Sequence, residues 1–419
     1  MLLLVNAVFA SKIIVSGQLN SNTVWSADTV IIENELDIEN GVELTIKRGV
    51  KVFGGYIKVK GAIIAIGTSS EPIQFLINDG TVPGTDATFK GRLWENVQAG
   101  SDSSIISNCH LEKYGTSVML EVKSWSKVAV RNCVFDGKII RNEMFFSAFS
   151  SNCVFSNNLV KNFSNAALFT SNGSTIFRNN VFDSCLNYRY GKDLIGIYGG
   201  KAKLENNLFT HCGDSLNPSE LNPLVQIGND AEPTISGNVF KDNYTLCYRI
   251  ESGAMANING DTISQAEAGI LLSNTHTTKP VLFRNTFIEK IKGAAAVYAG
   301  IDCRANFINC EITNCLKSGV TVVRDSEFSF NKCSLINNQG GGIYVAYLTT
   351  DVVVEDCYFE GNSANYGGGL FISDRSNSRV TRSTFKSNLA ANGGGLSAGS
   401  GSVITGCVFM NNQAYRFGG

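Results

Sequence analysis

Three histidines occur among the 419 residues, and acid–base chemistry would call on them first. His110 and His211 sit beside recurring apolar positions, and His276 lies in the Thr-rich run Thr275-His-Thr277-Thr278. Each reads as a surface or turn residue rather than a catalyst. A calcium-dependent lyase site needs several Asp or Glu stacked on one outer face, with a basic residue as general base. Here the acidic residues are scattered. Paired Asp residues near one coil beside a His-Gly, one of the patterns by which a sugar chain can be hydrolysed, do not occur. Glu355-Asp356 with Arg324-Asp325 could form a charged cluster, but charged pairs at corners are usually solvated. The twelve cysteines include no CxxC pair and no Cys/His cluster, so no structural zinc, no other metal and no cofactor is expected. Sequons at Asn162-Phe-Ser164 and Asn172-Gly-Ser174 are glycosylation candidates in a eukaryotic secretory pathway. A third, Asn243-Tyr-Thr245, falls in a position expected to be buried. No residue is put forward as catalytic.

The cysteines and asparagines belong instead to a repeat. Large apolar residues recur at Leu111, Phe135, Phe155, Phe182, Phe209, Phe240, Ile263, Phe287, Ile312, Leu335, Phe359, Phe385 and Phe409. Their spacing centres near 24 residues with variable excess, which points to stacked windings carrying loop insertions. Five residues before each anchor stands an apolar residue, with Ser150 the one exception. Two before it stand Cys109, Cys133, Cys153, Asn180, Asn207, Asn238, Asp261, Asn285, Cys310, Cys333, Cys357, Ser383 and Cys407. That residue shares a strand face with the anchor and so points inward. Three after the anchor stand Asn158, Cys185, Cys212, Asn243, Cys315, Asn338, Asn362, Asn388 and Asn412. Asn fixed at a turn can bond its neighbours above and below, and this predicts an asparagine ladder. Gly then precedes a further short strand, as at Gly342-Ile343 and Gly369-Leu370.

The expected fold is therefore all-β, a right-handed parallel β-helix of roughly sixteen coils. Side chains stacked in register sit about 4.8 Å apart, beyond the usual Cβ separation of a disulfide. Stacked thiols filling the core are expected rather than crosslinks. Residues 1–10 are almost wholly apolar and read as a secretory signal. Residues 11–90 read as N-terminal capping coils and 91–419 as the main helix. The chain stops at a Gly turn at Gly419, so a continuation, or self-assembly through an uncapped end, is expected. The net charge of −1 with no basic block argues against nucleic acid, and no stretch suits a membrane span.

Phe359-Glu-Gly-Asn362-Ser-Ala364-Asn-Tyr-Gly367-Gly-Gly-Leu370 and Phe385-Lys-Ser-Asn388-Leu-Ala390-Ala-Asn-Gly393-Gly-Gly-Leu396 resemble the FxxN and GGA[ILV] repeats of the polymorphic outer-membrane proteins of chlamydiae and their relatives. Phe409-Met-Asn-Asn412-Gln-Ala414 begins a third copy. Gly41-Val-Glu-Leu-Thr-Ile-Lys-Arg-Gly49 with Pro72-Ile-Gln-Phe75 is similar to the N-terminal coils of many secreted β-helix proteins. The resemblance implies a cell-surface adhesin or passenger-type protein; with nearly the whole chain taken up by coils and no convergent reactive residues, the expected function is a secreted or cell-surface, adhesin-like or scaffold module without enzymatic activity. Its partners would be a carbohydrate or a host or cell-surface protein. The alternatives are a polysaccharide lyase- or hydrolase-type enzyme and a fibre subunit stacking end to end.

Overall fold

A computed structural model describes residues 11–76, 104–112, 120–122, 127–137, 146–149, 152–163, 168–171, 173–185, 193–215, 222–275, 277–346, 351–374 and 376–418. The expected signal at 1–10, the boundary near 90, Asn172 and His276 lie outside these residues. The described residues hold strands and no helix. They fall into two compact units, 1–168 and 169–419.

In the first unit, parallel strands stack at intervals of one winding. One sheet runs from Lys12–Leu19 through Thr29–Ile38, Lys51–Val59, Ile73–Leu76, Cys109–Glu112 and Val134–Asp136 to Leu159–Lys161. A second runs from Thr23–Trp25 through Glu43–Ile46, Ala62–Ile66, Ser104–Ser107 and Lys127–Arg131 to Asn152–Ser156. A third begins at Leu120–Val122, paired with Phe146–Phe149. The alternation seen in sequence decides the faces: in Glu43–Ile46, Leu44 and Ile46 are buried while Glu43 is exposed.

The second unit repeats a three-sided winding. Its first sheet contains Phe182, Phe209 and Phe240 in direct register, and later Leu335, Phe359, Phe385 and Phe409. Their rings stack at 4.8 and 4.5 Å in the first run, and at 4.7 Å (Phe359–Phe385) and 5.0 Å (Phe385–Phe409) in the second. Such ring pairs add about 0.5–1.5 kcal/mol each beyond the area they bury. The second sheet carries a parallel stack, Phe283, Phe307 and Phe330, at 4.6 and 5.1 Å. The solenoid has about thirteen turns, and twelve of them are three-sided among the described residues, one for each strand of the third sheet. The three-sided turns are fewer than the sixteen expected, because turns before Leu120 show two sheets rather than three among the described residues.

Between the first two sheets the chain turns through a residue with positive φ, as at Asn206, Asn309 and Lys332. Asn tolerates that conformation better than most side chains, which explains the polar pair at this corner. The next residue points inward, as Asn207, Asn238 and Asp261 do. The Asn207 backbone N–H donates to Asn238 Oδ1 (2.9 Å), and Asn238 N–H to Asp261 Oδ1 (2.9 Å). The Asn238 amide donates to the Leu204 carbonyl (2.9 Å). Where Cys occupies this column, its thiol faces the equivalent carbonyl: Cys310 that of Phe283 (3.6 Å), Cys333 that of Phe307 (3.5 Å), Cys357 that of Phe330 (3.5 Å) and Cys407 that of Val380 (3.6 Å). Cys133 does the same with Ile106 (3.7 Å), and Cys109 with Ala65 (3.6 Å).

The corner after the first sheet holds Asn243, Asn338, Asn362, Asn388 and Asn412. Asn338 N–H donates to Asn362 Oδ1 (3.0 Å), and Asn362 N–H to Asn388 Oδ1 (3.0 Å). Asn388 N–H donates in turn to Asn412 Oδ1 (3.0 Å). The Asn362 amide donates back to the Leu335 carbonyl (2.7 Å). Asn243 accepts from Cys212 N–H (3.0 Å) and is buried.

Two windings depart from the expected register. Val160, not Phe155, pairs with Phe135, while Phe155 pairs with Val130 in the second sheet. Asn158 therefore occupies the column assigned to Cys153 and accepts from Cys133 N–H (2.9 Å). Cys153 pairs with Val128 instead. Likewise Ile288, not Phe287, is the buried anchor, and Asn285 is the positive-φ corner beside buried Thr286. A large aromatic residue fits either strand flanking the corner, so size alone misplaced both.

Candidate active site on the outer face of the third sheet

Strand alternation fixes what the third sheet shows to solvent. In Ile195–Tyr198, Ile195 and Ile197 are buried, which turns Gly196 and Tyr198 outward. Register then aligns Gly196 with Gln226, Gln226 with Arg249, and Arg249 with Leu271. Two residues on, Tyr198 aligns with Gly228, and Glu251 with Ser273. Five polar side chains converge here: Asp193, Tyr198, Gln226, Arg249 and Glu251.

The glycines make this possible. A Cβ on Gly196 would lie 2.0 Å from Asp193 Oδ2 and 2.6 Å from the Tyr198 ring. The Asp193 carboxylate therefore folds over Gly196, with Tyr198 against it. A Cβ on Gly228 would stand 3.5 Å from the Tyr198 ring and 3.8 Å from Glu251 Cγ. Gln226 Nε2 donates to Glu251 Oε1 (2.6 Å). Asp193 is 7% exposed, and among the described residues its Oδ2 has no hydrogen-bond partner. Leaving such an oxygen unpaired costs free energy unless something else meets it.

Burial pushes the Asp193 carboxyl up to about 6, with the Glu251 charge adding to the rise. Hydrogen bonding with Tyr198 and the Arg249 charge oppose it. Burial, with the Asp193 and Glu251 charges, raises the Tyr198 phenol above its ordinary value. The site thus offers a carboxyl that exchanges protons near pH 6, a phenol that keeps its proton, a second carboxylate and a guanidinium. Groups so tuned suit acid–base catalysis.

The residues singled out from sequence lie elsewhere. His110 Nε2 is 3.7 Å from Glu112, and the exposed His211 has its Nδ1 3.1 Å from half-buried Asp183. The Glu355–Asp356 pair meets Arg382, whose Nε stands 2.8 Å from Asp356 Oδ1 and whose Nη2 bonds Glu355. All twelve cysteines are thiols, and no metal-binding cluster occurs among the described residues. The Asn162 amide donates to Asp136 Oδ1 (3.0 Å), so the nitrogen a glycan would take is already engaged. The convergence at Asp193 was missed because its members come from three successive windings. The signal was the aligned quartets Ile195-Gly-Ile-Tyr198, Val225-Gln-Ile-Gly228 and Tyr248-Arg-Ile-Glu251, whose second and fourth residues face out.

The model of the right-handed β-helix region matches residues 148–288 and 281–418, well over half of the chain. No curated protein matches in sequence. Among solved structures, the catalytic unit of an α-1,3-glucanase from Streptomyces thermodiastaticus is similar, with 13% identity and a TM-score of 0.45. That match covers 78% of this chain and 62% of the glucanase unit, so the chain spans about three fifths of that unit. The mannuronan C-5 epimerase A-module of Azotobacter vinelandii is similar over 91% of this chain and 90% of its own, at 11% identity and a TM-score of 0.36. A siphovirus 9NA tailspike receptor-binding domain matches over 95% and 76%, at 10% identity and a TM-score of 0.28. Two of these three are enzymes, and with this the expectation of a chain without enzymatic activity is withdrawn.

Proposed function

The chain belongs to the right-handed β-helix family, and from that premise we propose that it is a carbohydrate-active enzyme that hydrolyses a polysaccharide laid on the outer face of its third sheet. One observation carries the reading: the buried Asp193 carboxyl, with an unpartnered oxygen, set beside Tyr198, Arg249 and Glu251. Glycoside hydrolysis needs two carboxyl groups in different environments, one giving a proton to the leaving oxygen and one acting on the opposite side. Asp193, held near 6, suits the donor. Glu251, positioned by Gln226, suits the second role. Arg249 offsets their charge, and Tyr198 orients Asp193. The repeats resembling surface-protein sequences at 359–370 and 385–396 support an extracellular setting.

The test is incubation of the full chain with α-1,3-glucan, a mixed neutral glucan, alginate and pectin, followed by reducing-end assay between pH 4.5 and 8. Activity is expected to fall as pH rises through about 6, where Asp193 loses its proton. Asp193→Asn and Glu251→Gln are expected to abolish it. No new reducing ends from any polymer, or undiminished activity in Asp193→Asn, would overturn the reading. Unsaturated products would replace hydrolysis by elimination.

A further inference from the structure

The outward row that passes through Arg249 and Leu271 continues through Tyr298, Thr321, Tyr344 and Phe371. Beyond the charged centre the row becomes aromatic. Tyr344 lies four windings from Arg249, about 19 Å at the spacing of neighbouring strands. There the face opens into a cleft of about 490 Å³, lined by Tyr344, Tyr366, Gln339, Ser363 and Asn365 among others. Tyr344 stacks on Phe371 (centroids 4.9 Å apart, planes at 19°), and Tyr366 leans on the same ring at 5.8 Å and 48°. The two tyrosines stay 36% and 50% exposed. Each thus has a ring braced by Phe371 and a face left for a ligand.

Among the described residues, no Asp, Glu, Lys or Arg lines the cleft. The chemistry on offer is flat aromatic surface flanked by amides and a hydroxyl. Aromatic faces attract the C–H edges of a sugar ring, and amides meet its hydroxyls. An anionic sugar would find no cation. We infer that this cleft is a subsite for a neutral sugar unit, holding the glycan away from the charged centre. The inference rests on the proposed carbohydrate reading and narrows its substrate class to glycans with uncharged units.

Affinity electrophoresis of the full chain through gels containing soluble neutral α- or β-glucan, or alginate, tests it. Wild-type protein is expected to be retarded by a neutral glucan and not by alginate. Tyr344→Ala and Tyr366→Ala are each expected to weaken binding about fivefold, the worth of one ring contact. Tyr344→Phe, which keeps the ring, should restore most of it. Thermal melts of the alanine variants should fall by only a few degrees, since each loses one partly exposed ring contact with Phe371, and Tyr344→Phe should melt like wild type. Absence of retardation by any neutral glucan, retardation by alginate alone, or unchanged binding in both alanine variants would overturn the subsite. Normal retardation with no turnover of any polymer would instead overturn the hydrolytic reading and leave the subsite standing.

Discussion

Asp261 stands in a column otherwise filled by amides, hydroxyls and thiols, and its substitution by Asn gives a sharp test of the inner rows. Its carboxylate is fully buried, accepts Asn238 N–H and takes the Tyr248 hydroxyl at 2.5 Å. Burial pushes its carboxyl up to about 6 from an ordinary 3.8, against the pull of these hydrogen bonds. The folded chain therefore holds this proton more tightly than the unfolded chain. The stabilisation is fully present below about pH 4 and is lost as pH rises through about 6. At 1.36 kcal/mol per pH unit, that gap is about 3 kcal/mol. Asp261→Asn keeps the acceptor for Asn238 and places an NH₂ beside the Tyr248 oxygen, which can accept. The variant should match wild type at pH 4 and exceed it by about 1–3 kcal/mol at pH 7.5. Solenoids open by neighbouring repeats, so a local probe is preferable to one global midpoint. Hydrogen exchange of the Asn238 amide, alongside urea unfolding followed by circular dichroism, reads both scales. A variant no more stable than wild type at pH 7.5, with the same pH profile, would refute the reasoning.

Asn362→Ala takes the Oδ1 acceptor from the Asn338 N–H and side-chain amide and removes the amide that reaches the Leu335 carbonyl, and should cost about 2–5 kcal/mol by denaturant midpoint. Asn362→Cys should lose less, since Cys212 shows a thiol facing the equivalent Phe182 carbonyl at 3.5 Å. Gly196→Ala pushes Asp193 and Tyr198 aside, so turnover should fall about 100-fold with little change in melting temperature. Among the twelve thiols only Cys407 is not buried, so a thiol reagent should modify it first and reach the other eleven only on unfolding.

The repeat was legible because inward positions recur with the winding: the spacing of Phe182, Phe209 and Phe240 alone gave the correct stack. Register failed where two aromatic or aliphatic residues competed for the anchor. Phe155 is as buried as Val160, and nothing in their chemistry separates one strand from the next. Ser150 at an apolar column, and a spacing of only 20 residues before Phe155, were the traces of that error. The charged centre was illegible for another reason. Asp193 belongs to no repeating column, and Arg249 and Glu251 meet it only once windings of unequal length are laid over one another.

The asparagine row also has a sense. Each Oδ1 serves the backbone N–H of the winding before it, and each amide nitrogen reaches a carbonyl three residues earlier in that same winding. A missing side chain therefore strips partners from its amino-terminal side, while its own N–H still finds the next Oδ1. Damage at one turn would loosen the stack in a single direction, so a mutational scan down the row should show exchange rates rising ahead of each lesion and unchanged behind it.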